Sequence, residues 1–126
     1  MPSALIAAAV LTALLGIAHS WLGEARLIGP LLAPDRRAGL LAKSAFARAI
    51  LRFAWHLTSV AWWGLATILA VLALAGPATA ETATLTAIGA TLALSGIIVL
   101  VTSRGRHLAW PVFLAAAALA VLPVVA

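Results

Sequence analysis

The sequence predicts an all-α protein: an integral membrane four-helix bundle made of two hairpins, with an interfacial helix between the first and second spans. Three observations carry that expectation. Of the 126 residues, 65% are apolar and 9% are charged, whereas a soluble domain keeps roughly a quarter of its residues charged. Mean hydropathy is +1.18, so there are too few polar groups to cover a water-facing surface. Four apolar stretches approach or reach the ~20 residues that cross a hydrocarbon core, and polar turn sequences separate them. At this length a single transmembrane domain, residues 1–126, is the default.

The first span is expected over residues 3–22, free of charge and ended by Glu24 and Arg26. It lacks the basic start of a signal peptide and reads as a retained span. Residues 24–52 form the longest connection. Asp35, following Pro34, is expected to cap a helix that lies in the interface, where Leu40, Leu41, Ile50 and Leu51 are mixed with arginines and Lys43. Gly39 and Ser44 are its candidate bends. The second span is expected over residues 53–75, stopped by Gly76 and Pro77. A short loop carrying Glu81 leads to the third, residues 83–101. A polar turn at residues 103–106 leads to the fourth, residues 108–125, with Pro111 in its first turn, where a missing N–H is harmless. The two halves share a hairpin topology but no residue-level match, so no duplication is inferred.

Charge sets the expected orientation. All eight Lys and Arg side chains lie in the connection between spans 1 and 2 or in the turn between spans 3 and 4. Both connections fall on one side, which the positive-inside rule makes cytoplasmic. The N-terminus and C-terminus are then periplasmic, and the Ala/Leu/Arg-rich composition suits a bacterial inner membrane. The net charge of +5 has its explanation in that topology, and no soluble module presents a basic stripe to nucleic acid. The absence of cysteine removes disulfides, thiolate metal sites and thiol nucleophiles.

In lipid, small residues and hydrogen bonds mark helix contacts. Thr12, Gly16, His19 and Gly23 share one face of the first span; Gly89, Ala93 and Gly96 share one of the third. These are the expected packing seams. Of the five tryptophans, Trp21, Trp55 and Trp110 fall near the basic boundary, as an aromatic belt requires. Trp62 and Trp63 fall near the midplane. With Trp55 they are candidate contacts for a partner helix or lipid.

The histidines gather at one level. His19 and His56 are each about three residues inside the basic end of their spans, His107 is at the boundary, and Glu24 is just above. Arg48, Arg52, His56, Ser59 and Trp63 recur every three or four residues along the second span. One reading is hydrogen bonding between helices. Another makes His19, His56, His107 and Glu24 ligands of haem b or a transition metal, with Arg48, Arg52, Arg104 and Arg106 holding propionates, other anions or headgroups. Residues 106–110 (Arg-His-Leu-Ala-Trp) resemble a segment of the haem-bearing membrane anchors of succinate dehydrogenase, which implies haem b. No His-x-x-x-His or Glu-x-x-His motif supports a metal.

No catalytic set is legible: no nucleophile elbow or phosphate loop is present, and no serine is placed by spacing near both a histidine and an acid. The chain resembles small multidrug exporters in length and span count, but no span contains their intramembrane carboxylate, which weighs against a small transporter. The leading expectation is a non-enzymatic accessory or stabilising subunit that docks on other membrane subunits or on copies of itself. The alternative is a haem- or metal-binding redox protein.

Overall fold

A computed structural model of the protein describes residues 2–125, and these are almost entirely helical. Helix α1 spans Pro2–Gly23 and passes through a π-helical turn, Glu24–Ile28, into the short α2, Gly29–Leu31. The short α3 is Gly39–Lys43. The remaining long helices are α4, Ala45–Leu74; α5, Pro77–Ser103; and α6, Ala109–Val125. Three apolar helices, Pro2–Leu31, Ala45–Leu74 and Pro77–Ser103, are long enough to cross a membrane, and Ala109–Val125 is a shorter apolar helix.

The helix ends differ from the sequence expectation for local reasons. Glu24 and Arg26 do not end the first helical stretch, which continues to Leu31. Pro30 cannot donate to the carbonyl four residues back and its ring crowds that carbonyl, so the backbone widens by one residue. The Gly29 N–H then bonds the Glu24 carbonyl. A side chain at Gly29 would bring its Cβ within 2.7 Å of that oxygen, so glycine permits the turn. Asp35 caps nothing. It lies in a turn, in an exposed 3.9 Å pair with Arg36.

The expected interfacial helix is reduced to α3, because the chain is extended at Ser44. The Ser44 hydroxyl instead accepts the Ala47 N–H at 3.1 Å and starts α4 there. Residues 45–52 therefore belong to the same helix as the second apolar stretch. Glu81 is likewise helical rather than in a loop. Pro77 takes the first helical position, where its fixed φ favours the helix.

The α5–α6 turn closes on Arg104 and Gly105, both at positive φ, with the Gly105 N–H returning to the Leu100 carbonyl. The His107 Nδ1 accepts the Ala109 N–H at 3.2 Å and caps α6.

The long helices form a helical bundle laid out as an antiparallel row. Each packs against its neighbour in sequence, α1 on α4, α4 on α5 and α5 on α6, while α1 and α6 do not pack closely on each other. Small residues set the contacts. Gly16 and Gly23 lie under the indoles of Trp63 and Trp55, Gly64 under Thr91, Gly89 under Val121 and Gly96 under Leu114. The accessible surface is 7757 Å², against about 6300 Å² for a compact soluble monomer of this mass. Large apolar side chains are exposed on it, among them Leu11, Leu15, Val112 and Leu119. Polar side chains gather at one end, where α1 meets α4.

Candidate functional site: a polar chain between α1 and α4

Helical spacing builds this site. Ser20 and Glu24 are four residues apart on α1 and its π-turn, and Arg52, His56 and Ser59 follow every three or four residues on α4. Each set therefore occupies one face. Antiparallel packing over Gly16 and Gly23 turns the two faces toward each other.

Five side chains join in series. Arg52 Nη2 lies 2.9 Å from Glu24 Oε1, and His56 Nε2 lies 3.2 Å from Glu24 Oε2. On the other side of the imidazole, Nδ1 lies 2.9 Å from Ser20 Oγ, which lies 2.8 Å from Ser59 Oγ. The arginine end is half-exposed, whereas Ser59 is fully buried. The chain thus runs from the polar surface into the helix interface, and both ring nitrogens of His56 are engaged.

His19 lies beside this chain rather than in it. Its ring stacks on Trp55, with centroids 4.4 Å apart and planes 7° from parallel, and the edge of Trp62 meets it at 4.9 Å. Its Nε2 is buried without a partner. Trp55 also donates to the His19 carbonyl at 3.2 Å, and Trp63 donates to the Ala13 carbonyl at 3.2 Å. The three tryptophans of α4 thereby fasten α1 to α4.

The four candidate ligands do not converge. Only Glu24 and His56 meet, and among the described residues no group of three His, Asp or Glu side chains is placed to hold a metal. His107 is taken up by its cap on α6 and stands edge-on to Phe53 at 5.6 Å. Axial ligation of haem would require His56 to give up Glu24 or Ser20, and His19 to leave its two indoles.

The basic candidates divide into two clefts. Arg48 and Arg52, joined by Arg37, line a cleft of about 270 Å³ beside the start of α4. Arg104 and Arg106 line another of about 220 Å³ with Thr102 and Ser103, and Arg106 also lies over the Phe46 ring, 4.7 Å from its centre.

Ser20 is the residue that spacing alone left out, and it corrects the reading that no serine stands near both a histidine and an acid. The signal was available: Ser20 is four residues after Gly16 and four before Glu24. A serine, an imidazole and a carboxylate in line are the side chains of a nucleophilic triad. The backbone around Ser20 is regular helix, however. Its N–H groups are spent on carbonyls four residues back and do not converge as oxyanion donors beside the hydroxyl. The geometry serves proton exchange along hydrogen bonds better than attack on an acyl carbon.

Comparison with protein-family models, curated proteins and solved structures finds no match to this chain. The functional reading therefore rests on the site alone.

Proposed function

We propose that this chain is a small non-enzymatic protein of the bacterial inner membrane that crosses the bilayer four times and exchanges a proton along its α1–α4 polar chain at the cytoplasmic face. The orientation follows from the eight basic side chains at one end of the helix row. α6, with 17 residues, covers about 25 Å and spans a slightly thinned bilayer or with Leu108 and His107 added.

The observation that carries the proton reading is the engagement of both His56 nitrogens, one by a carboxylate and one by a hydroxyl pair. Hydroxyls both donate and accept, so two arrangements keep both His56 nitrogens bonded. In the neutral form, Nε2–H donates to Glu24, Ser20 donates to Nδ1, and Ser59 donates to Ser20. In the doubly protonated form both ring N–H groups donate, and Ser20 turns to donate to Ser59. One proton and two hydroxyl rotations separate the two forms. Ionisable side chains within membrane spans are costly, and proton relays are among the functions that retain them.

The test is ¹⁵N NMR of the histidine rings in lipid nanodiscs across a pH series. Two ring states of His56 are expected to exchange, with Ser20→Ala altering their balance. A His56 fixed in one state across the series would end this reading.

A second reading is supported by the open ends of the row. The outer faces of α1 and α6 are apolar, and Trp21 is 71% exposed. They suit an accessory subunit seated on a larger membrane complex. Recovery of the isolated chain alone after gentle extraction would remove it.

A further inference from the structure

The connection between α1 and α4 has three arginines directed at one small space. Arg37, Arg48 and Arg52 line the cleft of about 270 Å³, together with Leu32, Ala45 and Ala49. Each of the three has a bonded partner. Arg37 Nε donates to the Leu32 carbonyl at 2.6 Å, Arg48 Nη1 donates to the Leu41 carbonyl at 2.7 Å, and Arg52 Nη2 is held by Glu24 at 2.9 Å. Each guanidinium carries five N–H donors in a rigid fork. One or two contacts per residue orient the fork and leave donors over.

The charge is also unbalanced. Three guanidinium groups face the cleft, and the carboxylate among their partners is Glu24, which His56 shares. Ala45, in the first turn of α4, also lines the cleft, and backbone N–H groups at a helix start favour negative charge. Arginine forks match the oxygens of a phosphate in pairs.

We propose that the Arg37–Arg48–Arg52 cleft is a binding site for one phosphate group, presented as the headgroup of an anionic lipid or as a soluble phosphate. The ligand adds two or three charge-assisted hydrogen bonds without displacing the carbonyls that hold Arg37 and Arg48. The cleft at Arg104 and Arg106 is a weaker competitor, because the Arg106 guanidinium lies against Phe46.

The experiment titrates the purified full-length chain in non-ionic detergent. Short-chain phosphatidylglycerol and phosphatidic acid are followed by native mass spectrometry, and inorganic phosphate by calorimetry. One equivalent is expected to bind. Replacing Arg37→Gln and Arg48→Gln together should weaken it about tenfold or more, on the scale of two lost charge-assisted bonds. Arg37→Lys with Arg48→Lys keeps the charge and gives a smaller loss, and that pair serves if the glutamine pair does not fold. Arg104→Gln with Arg106→Gln should leave the binding unchanged.

Saturation by the lipids but not by phosphate assigns the site to a headgroup, and the reverse assigns it to a soluble anion. No saturable binding by any of the three probes overturns the proposal. So does equal loss in the Arg104/Arg106 pair, which would mean a diffuse basic surface. The titration depends neither on membrane orientation nor on His56, so its failure leaves the proton reading standing.

Discussion

Glu24 Oε2 and His56 Nε2 stand 3.2 Å apart across the α1–α4 interface, so a carboxylate on one helix orients an imidazole on the next. The other Glu24 oxygen holds Arg52. A carboxylate supporting an imidazole fixes which ring nitrogen carries the proton in the neutral form. The π-turn at Glu24–Ile28 makes this pairing part of a continuous helix rather than of a loop. Ser20 below it and Glu24 above it are therefore held on the same face.

Glu24→Gln should change the state of His56 more than it changes stability. Glu24 and Arg52 are both well exposed to solvent, and exposed ion pairs contribute at most about 1 kcal/mol. Unfolding in mixed micelles should show a loss of that order. The His56 ring ¹⁵N shifts should move away from their wild-type values, because a carboxamide cannot replace the charged acceptor. Unchanged ring shifts would separate His56 from Glu24 in function.

Glycines at helix contacts should be far less tolerant of substitution than Gly76. A Cβ on Gly16 or Gly23 would enter the indole of Trp63 or Trp55, whereas a Cβ on Gly76 meets nothing within 4 Å. Gly23→Ala should cost about 1–3 kcal/mol through overpacking. Gly76→Ala, at the N-cap of α5, should cost about 0.5–1 kcal/mol, the gap between glycine and alanine as caps. Parallel unfolding curves for the two variants compare them directly.

His19→Phe should be neutral or slightly stabilising. The ring position between Trp55 and Trp62 is aromatic, and the buried Nε2 has no partner to lose. Removing an unsatisfied buried polar atom relieves its desolvation cost. The purified wild-type protein is correspondingly expected to show no Soret band. A band that disappears in His19→Phe would restore the haem reading.

A C-terminal reporter that is active only in the cytoplasm should give no signal, since the α6 end lies opposite the basic end. A strong signal would invert the topology and place the arginine clefts outside.

Much of the fold was legible because helix formation in an apolar chain depends on local properties. Runs of apolar residues and the turn signals at Gly76, Pro77 and residues 103–106 point to the long helices, although α4 starts at Ala45 and α5 at Pro77, ahead of the expected spans. Where the reading failed, the cause was equally local but harder to weigh. Pro30 produced a π-turn instead of an end, and Ser44 outcompeted Asp35 as a cap. Within the site, the Arg52–His56–Ser59 face of α4 was legible from spacing. Its partner Ser20 was not singled out, because a serine beside the more conspicuous His19 carries no distinguishing pattern until its neighbour helix is known.

By itself, then, the sequence determined the helical class, the placement of every basic side chain at one end and the faces on which small and polar residues recur. These depend on composition and on the 3.6-residue period. The tertiary structure decided which faces meet. It set Ser20, not His19, against His56, gave Glu24 two partners on α4, and left the row of helices open between α1 and α6. Those outcomes depend on the rotation and depth of one helix against another, which is fixed by how two indoles settle over Gly16 and Gly23. No single helix encodes that fit.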